Sequence, residues 1–173
     1  MDVLLCCKNT SLKNSKGEIV LLRAAWDGDL HHCAFILNSF PDPDVTNKSG
    51  YTALMCSARW GHIEICKLLL EHGANPNLKD DGENTALHEA VATDQIAVCD
   101  LLLSNKADPN ISNCDGVTPL LSATWTGNLD ICRLLLENEA DINAINKYGW
   151  SPLWMATTME KFELVQLFNQ FVT

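Results

Sequence analysis

Eight cysteines could hold a metal or form disulfides in this chain of 173 residues. Four of them, Cys33, Cys66, Cys99 and Cys132, recur at a constant spacing of 33 residues. If each interval is one structural unit, these side chains lie on equivalent packed helices, about 8–10 Å apart. A disulfide needs Cα atoms within about 7 Å, and zinc holds sulfur ligands at about 2.3 Å. The spacing therefore predicts buried free thiols without a metal, which is typical of a reducing cytosol or nucleus.

The other cysteines call for separate interpretations. Cys56 falls on the first helix of its unit, where we expect partial exposure, and Cys114 falls near a turn as a candidate reactive thiol. Cys6 and Cys7 are candidates for lipidation, but no second membrane signal accompanies them. Every apolar run is far shorter than the roughly 20 residues that cross a bilayer. We expect no membrane association.

Five histidines invite a catalytic interpretation, but the sequence pairs none of them with a recognisable serine or cysteine nucleophile. It also contains no glycine-rich loop of the kind that binds phosphate. His31 and His32 are explained by a solvated helix face. We therefore expect no catalytic residue, no cofactor and no enzyme activity.

The spacing of the cysteines belongs to a repeat that covers most of the chain. A Thr-Ala-Leu or Thr-Pro-Leu motif begins at Thr52, Thr85 and Thr118, and a Ser-Pro-Leu motif begins at Ser151. A degenerate copy begins at Ile19, one period before Thr52. So many positions at one spacing predict five copies of one structural unit.

Each unit is predicted to contain two short helices. A glycine such as Gly50 provides a turn before a Thr or Ser that can cap the first helix. In the second unit the pattern predicts helices over 53–60 and about 63–72. In the third unit the turn glycine, Gly82, stands one residue early, so we expect that hairpin tip to differ in shape.

The motif Gly-Xaa-Thr-(Ala/Pro)-Leu and the segment Gly-His-Ile-Glu-Ile-Cys-Lys-Leu-Leu-Leu-Glu-His-Gly-Ala-Asn-Pro-Asn over residues 61–77 resemble the ankyrin repeat. The resemblance covers about residues 17–173. It implies an all-α solenoid of five helix-turn-helix units with projecting β-hairpin loops. It also implies that His62 and His88 are structural and bond turn backbone. We expect a monomer that acts as a protein-interaction module.

Polar residues mark the two ends of the predicted array. The apolar column that contains Ile65 becomes His32 in the first unit, and the column that contains Leu136 becomes Asn169 in the last. Such replacements are typical of terminal repeats, which face water on one side. The predicted boundaries are 1–16 for an N-terminal arm or half-repeat, 17–49 for an N-terminal cap repeat, 50–82, 83–115 and 116–148 for three full repeats, and 149–173 for a C-terminal cap repeat.

The charge of the chain limits its partners. The formal net charge is −10, without a basic stripe. Nucleic-acid binding normally depends on clustered Lys and Arg, so we expect no nucleic-acid partner. The third unit carries six acidic side chains against Lys106 alone, a net charge of −5. This favours a protein partner with basic residues flanked by apolar ones.

The resemblance implies that hairpin tips and first helices form a concave binding face. Four of the five tryptophans fall at these positions, and tryptophan is enriched at binding hot spots. The alternative is that the rings only pack on neighbouring first helices. Trp154 is expected to be semi-buried, in the column of His88. The predicted partner-binding residues are Trp26, Tyr51, Arg59, Trp60, Asp81, Glu83, Glu89, Thr93, Asp115, Trp125, Thr126, Tyr148, Trp150, Met155 and Met159.

Two more specific functions are alternatives. A stoichiometric enzyme inhibitor of the ankyrin type typically has a shortened first helix in its second repeat, whereas the helix over 53–60 looks full length. The substrate-recognition part of a ubiquitin ligase would carry an adaptor-binding box after the array, and none follows Phe171 in this sequence.

Asn143 is a candidate for modification. Leu135, five intervening residues and Asp141-Ile142-Asn143 resemble the hairpin motif used by the asparaginyl hydroxylase that acts on ankyrin repeats in animal cells. The alternative is that Asn143 bonds turn backbone, as we expect of Asn77 and Asn110.

Overall fold

A computed structural model describes residues 19–171. The expectations for residues 1–16, including Cys6 and Cys7, lie outside the described residues. Their regular structure is mainly helical and includes an antiparallel bridge between Thr46 and Thr52. The helices are α1 Val20–Asp27, α2 Leu30–Ser39, α3 Ala53–Arg59, α4 Ile63–Glu71, α5 Ala86–Ala92, α6 Ile96–Ser104, α7 Pro119–Thr126, α8 Leu129–Glu137, α9 Pro152–Thr158 and α10 Phe162–Phe171.

The helices form two layers. The odd-numbered helices pack on one another in chain order, and the even-numbered helices do the same. Each odd-numbered helix also packs on the even-numbered helix that follows it. One surface is formed by the odd-numbered helices, α1 to α9, together with the hairpins that precede α3, α5, α7 and α9. We call this surface the first-helix face. The predicted all-α solenoid is confirmed.

Hydroxyl side chains begin most first helices, as predicted. The hydroxyl oxygens of Thr52, Thr118 and Ser151 accept the backbone N–H three residues later, at 3.2, 3.4 and 3.2 Å. These bonds satisfy backbone donors that have no partner within the helix. The two helices predicted for the second unit are observed within one residue of their expected ends.

The hairpins are held by a polar column that sequence reasoning overlooked. In each hairpin one side-chain oxygen accepts two backbone N–H groups, two and four residues later, at distances of 2.7–3.0 Å. Neighbouring hairpins are joined by backbone bonds such as Asp81 N–H to the Ser49 carbonyl at 2.9 Å. The 33-residue spacing of this column was available as a signal. Its members are Asn47, Asp80, Asn113 and Asn146.

The expected difference at the third hairpin tip is wrong. Glu83 takes the left-handed conformation there, with φ 61°, as Gly50 and Gly116 do with φ 72° and 75°. Its N–H donates to the Asp80 carbonyl at 2.8 Å, the same bond that closes the other tips. Bonds to the side chain of Asp80 and to the next hairpin therefore impose the turn without a glycine.

The repeated cysteines lie in the core, as predicted. Cys33, Cys66, Cys99 and Cys132 are buried free thiols. Burial raises the pKa of Cys66 to about 11 and the pKa of the other three to about 12. Ser57, which lies on α3, accepts a 3.1 Å hydrogen bond from Cys66. These thiols are therefore protonated and unreactive at neutral pH.

Cys56 corrects the expectation of partial exposure. It is 3% exposed, and burial raises its pKa to about 12. The reason is that α3 packs against both α1 and α5, which cover it on two sides. Cys114 is exposed, as its position near a hairpin predicts.

The polar residues that mark the ends of the array are exposed. His32 lies in the first turn of α2, where Asp29 bonds both its ring and its backbone N–H. Asn169 lies exposed on α10. Equivalent apolar residues in the interior repeats, such as Ile65 and Leu136, are 2% and 7% exposed.

Candidate functional site

Two histidines, His88 and His62, contact backbone groups of neighbouring repeats. The His88 ring nitrogen Nδ1 accepts the Thr85 N–H at 3.2 Å, and Nε2 donates to the Val117 carbonyl of the next hairpin at 3.0 Å. Burial lowers the pKa of His88, which favours this neutral form. His62 Nε2 lies 3.4 Å from the Trp26 carbonyl. The structural roles that the resemblance implies are therefore observed.

Trp26 and Trp60 form an aromatic pair at the N-terminal end of the first-helix face. Their ring centroids are 5.1 Å apart with an interplanar angle of 72°. This edge-to-face arrangement is a favourable one for aromatic rings. The rings do pack on each other across α1 and α3, yet the two residues remain 43% and 49% exposed. The alternative that these rings only pack on neighbouring first helices is therefore incomplete, because much of each side chain remains open to solvent.

The centre of the face is a network of paired groups. Arg59 donates to the Glu89 carboxylate at 2.6 Å, and the same carboxylate lies beside Tyr51, whose pKa is raised by burial and by Glu89. Thr93 donates to the backbone carbonyls of Arg59 and Glu89 at 2.8 and 2.9 Å. Glu89 is only 8% exposed. Its carboxylate therefore links α3 to α5 and is not free for a partner.

The acidic hairpin residues differ in their pairing. The exposed Glu83 is paired with Lys79 at 2.9 Å, and this lysine lowers the pKa of Glu83. The side chains of Asp81 and Asp115 are exposed, and within residues 19–171 their carboxylates have neither an ion pair nor a hydrogen bond. Glu83 and Glu89 of the third unit are both paired with basic side chains. The net charge of −5 predicted for this unit therefore overstates the number of acidic groups that are free to bind a partner.

A pocket lies at the C-terminal end of the face, with a volume of about 270 Å³. Its lining includes Asp115, Trp125, Tyr148, Trp150 and Met155. These residues come from two hairpins and from α7 and α9, so tertiary packing assembles the pocket. Trp125 and Tyr148 are 58% and 64% exposed, whereas Met155 is buried at 4%. Met155 therefore closes the interior of the pocket rather than presenting a free surface.

Thr126 and Met159 lie at the ends of their helices. Thr126 is exposed, and its hydroxyl donates to the Ala123 carbonyl at 3.0 Å. Met159 follows α9 and is 37% exposed. Neither residue lines the pocket.

Trp154 corrects the expectation that it is semi-buried. It is 47% exposed and stacks on Trp150, with ring centroids 5.5 Å apart and an interplanar angle of 17°. Trp150 in turn lies 5.4 Å from Tyr148. His88 occupies the same position two units earlier, and there Val117 of the following hairpin covers it. No described hairpin follows Trp154, so its ring remains open. Four of the five tryptophans thus form two aromatic clusters, Trp26 with Trp60 and Trp150 with Trp154 and Tyr148, whereas Trp125 lines the pocket.

Asn77, Asn110 and Asn143 occupy the same position in successive units, but their side chains differ in their hydrogen bonds. Asn77 accepts the Asp108 N–H at 2.8 Å and donates to the Lys106 carbonyl at 3.0 Å. Asn110 makes the same two contacts one unit later. Asn143 is exposed, and its side chain has no hydrogen bond within residues 19–171.

A family profile described as ankyrin repeats in three copies matches residues 21–113 and 87–170. Together the two matches span residues 21–170, most of the chain.

The chain belongs to the ankyrin-repeat family.

Ankyrin repeats are generally protein-protein interaction modules, and proteins of this family are typically not enzymes. No curated protein matches this sequence. Among the described helices, none combines the length and apolar character that a membrane crossing requires. Groups of three or more His, Cys, Asp or Glu placed to hold a metal ion are likewise absent from residues 19–171.

Proposed function

We propose that the first-helix face of this ankyrin-repeat domain binds a protein partner that presents basic and apolar side chains. The observation that carries the proposal is the exposure of Trp26, Trp60 and Trp125, which are 43%, 49% and 58% exposed. Large exposed aromatic groups on one face mark interaction surfaces, and tryptophan is among the residues that dominate binding energy.

Charge supports a partner with basic residues. The chain has a formal net charge of −10, and the carboxylates of Asp81 and Asp115 lie exposed on this face. A surface with an excess of acidic groups attracts basic partners and accelerates their association. The buried free thiols support a reducing compartment, the cytosol or the nucleus, as the place of this interaction.

The inhibitor alternative gains no support from α3. This helix contains seven residues, as α5 and α9 do, so the second repeat lacks the shortening that inhibitors of this type typically show. A protein-binding domain without a more specific activity is therefore the function we favour.

The test compares exposed aromatic residues on the two layers, Trp60 and Trp125 on the first-helix face and Phe35 on the other layer. A partner is captured from lysate of the source cells, and its affinity for each variant is measured by isothermal titration calorimetry. Trp60→Ala and Trp125→Ala should each weaken binding by about 2 kcal/mol or more, which is roughly 30-fold. Phe35→Ala is the matched control, because Phe35 lies on α2 and is 48% exposed, nearly as much as Trp60. Wild-type affinity in both folded tryptophan variants would refute the proposal, as would a loss confined to Phe35→Ala.

Hydroxylation of Asn143 is a second, independent proposal for this domain. The exposed side chain of Asn143 differs from Asn77 and Asn110, which are engaged with the next repeat. Mass spectrometry after co-expression with the asparaginyl hydroxylase should show the added oxygen on the peptide that contains Asn143. An unmodified peptide would end this proposal.

A further inference from the structure

The pocket at the C-terminal end of the first-helix face combines flat aromatic surfaces with a carboxylate. Trp125 belongs to α7, Tyr148 and Trp150 belong to the last hairpin, and Asp115 belongs to the hairpin before it. The exposed rings of Trp125 and Tyr148 are open to a ligand. A volume of about 270 Å³ lies below the roughly 300–1,000 Å³ of typical small-molecule sites. It suits one long side chain better than a drug-sized ligand.

The backbone N–H and carbonyl of Asp115 are both hydrogen-bonded, which holds the residue in place. Its N–H donates to Asn113 Oδ1 at 3.0 Å, and its carbonyl accepts the Lys147 N–H at 3.1 Å. Its carboxylate, in contrast, has no hydrogen-bond or ion-pair partner within the part of the chain that the structure describes. A carboxylate on a fixed backbone that remains unpaired is available to a cation from outside.

The nearby basic groups are engaged elsewhere or lie outside the pocket lining. The ammonium group of Lys161 donates to the Thr124 and Trp125 carbonyls and so caps α7. The side chain of Lys147 does not line the pocket and is close enough to Glu83 to help lower the pKa of that carboxylate. Lys161 therefore helps to hold the backbone that carries Trp125, and neither lysine forms an ion pair with Asp115.

The chemistry of the lining selects among basic side chains. Aromatic faces attract any cation. Only a planar guanidinium can stack flat on an indole while its N–H groups form two parallel bonds to a carboxylate. A trimethylated lysine has no N–H to donate, so it would leave Asp115 without a hydrogen-bond donor. A lysine ammonium is a compact, strongly hydrated charge that stacks less well.

We propose that this pocket receives an arginine side chain of the bound protein, with the guanidinium against the exposed rings of Trp125 and Tyr148 and paired with Asp115. The inference rests on the proposed function, because it assigns one residue type of the partner to one part of the first-helix face. It places a point of discrimination among partners where the predicted third, fourth and fifth repeats meet.

The test uses capped amino acids, so it does not depend on knowing the partner. The full chain is titrated at constant ionic strength with N-acetyl-arginine N-methylamide, and the indole N–H signals are followed by ¹H–¹⁵N NMR. The signals of Trp125 and Trp150 should shift, and those of Trp26 and Trp60 should not. The citrulline and trimethyllysine analogues should bind roughly tenfold more weakly, because each lacks the charge-assisted hydrogen bonds.

Two asparagine variants distinguish a specific ion pair with Asp115 from a general effect of negative charge on the surface. Asp115→Asn should weaken binding of the arginine analogue roughly tenfold. Asp81→Asn removes the same charge from the preceding hairpin, outside the pocket lining, and should leave the affinity within about twofold. Equal binding of citrulline, tighter binding of trimethyllysine or equal losses in both variants would overturn the arginine assignment.

The two proposals can fail separately. If Trp60→Ala and Trp125→Ala weaken the captured partner while the arginine analogue shifts no indole signal, the binding face stands and the arginine pocket is rejected. If the analogue binds as expected but both tryptophan variants bind the partner normally, the first-helix face is rejected as the site of that partner. The pocket then still binds an arginine side chain, but not one of that partner.

Discussion

The segments predicted as the second and third repeats, residues 50–82 and 83–115, have helices of equal length at equivalent positions but different turn residues. The three left-handed turn positions of the second repeat are all glycines. The equivalent positions of the third repeat hold larger residues with φ between 58° and 68°. The pairs are Gly50 and Glu83, Gly61 and Asp94, and Gly73 and Lys106.

The difference teaches that neighbouring repeats can impose a turn that the local sequence does not favour. A left-handed conformation costs a non-glycine residue about 1–2 kcal/mol. In the third repeat contacts with other repeats offset this cost. The Lys106 carbonyl accepts the Asn77 amide at 3.0 Å, and Asn128 donates to the Asp94 carboxylate at 3.2 Å. Turn glycines therefore indicate a repeat, but a repeat does not require them.

The largest expected effect on stability comes from the core leucines that the two repeats have in common. Leu69 and Leu102 occupy the same column on α4 and α6, and both are 0% exposed. Leu69→Ala and Leu102→Ala should each reduce the free energy of unfolding by about 2–5 kcal/mol, since each leaves a cavity in the core. Chemical denaturation followed by circular dichroism measures this. Losses that differ by more than about 2 kcal/mol would show that the two repeats are not equivalently packed.

An intermediate effect on stability concerns Met55 and His88, which occupy equivalent positions in the two repeats. The Met55 sulfur accepts the Thr52 N–H at 3.4 Å, as the His88 ring accepts the Thr85 N–H. Burial lowers the pKa of His88 in the folded protein, so the unfolded chain binds the proton first as the pH falls. The stability that His88 contributes is therefore present above its unfolded pKa of about 6.5 and is lost below it.

Changing His88 to the residue of the second repeat should remove this dependence. Between pH 7 and 5.5 His88 should account for a loss of up to about 1 kcal/mol of stability, because over this range its imidazole binds a proton more readily in the unfolded chain than in the folded protein. His88→Met should lose distinctly less over the same range. Thermal denaturation at several pH values measures both proteins. Identical pH profiles would rule out His88 as the source.

The smallest effect isolates the cost of the left-handed turn. A Cβ at Gly73 would meet no atom within 4 Å, so Gly73→Ala tests backbone conformation alone and should destabilise the protein by about 1 kcal/mol. Lys106→Gly should stabilise it by about 0.5 kcal/mol, because relief of strain exceeds the entropy that glycine adds to the unfolded chain.

Lys106→Ala is the matched control for the loss of the lysine charge. It removes the charge but keeps the Cβ, so it should not reproduce the gain of Lys106→Gly. Equal stabilities of the two Lys106 variants, measured by urea denaturation, would contradict the strain interpretation.

Local patterns were enough to predict most of the fold. The helix predicted over 53–60 is observed as α3, with Trp60 as its C-cap. The helix predicted to end near His72 ends at Glu71. Periodic apolar residues and capping side chains act within a few residues of one another, so a single repeat contains the necessary information.

The candidate site was less predictable. The exposure of Trp60 and Trp125 agrees with their assigned positions, but the pairing of Glu89 with Arg59 was not foreseen. Nor was the stacking of Trp154 on Trp150. Each of these contacts depends on how one repeat is placed against another, or on which rings a following hairpin leaves uncovered.

By itself, the sequence determined the 33-residue period, the paired helices and the buried columns, because each is written in residue types that recur at fixed spacing. Only the tertiary structure decided which acidic groups are paired, which tryptophans remain open and where the pocket forms. Asp115, Trp125 and Trp150 lie in two hairpins and one helix, and their convergence is set by the rigid stacking of repeats. Stacking also decided that Glu83, Asp94 and Lys106 adopt turns that their side chains disfavour.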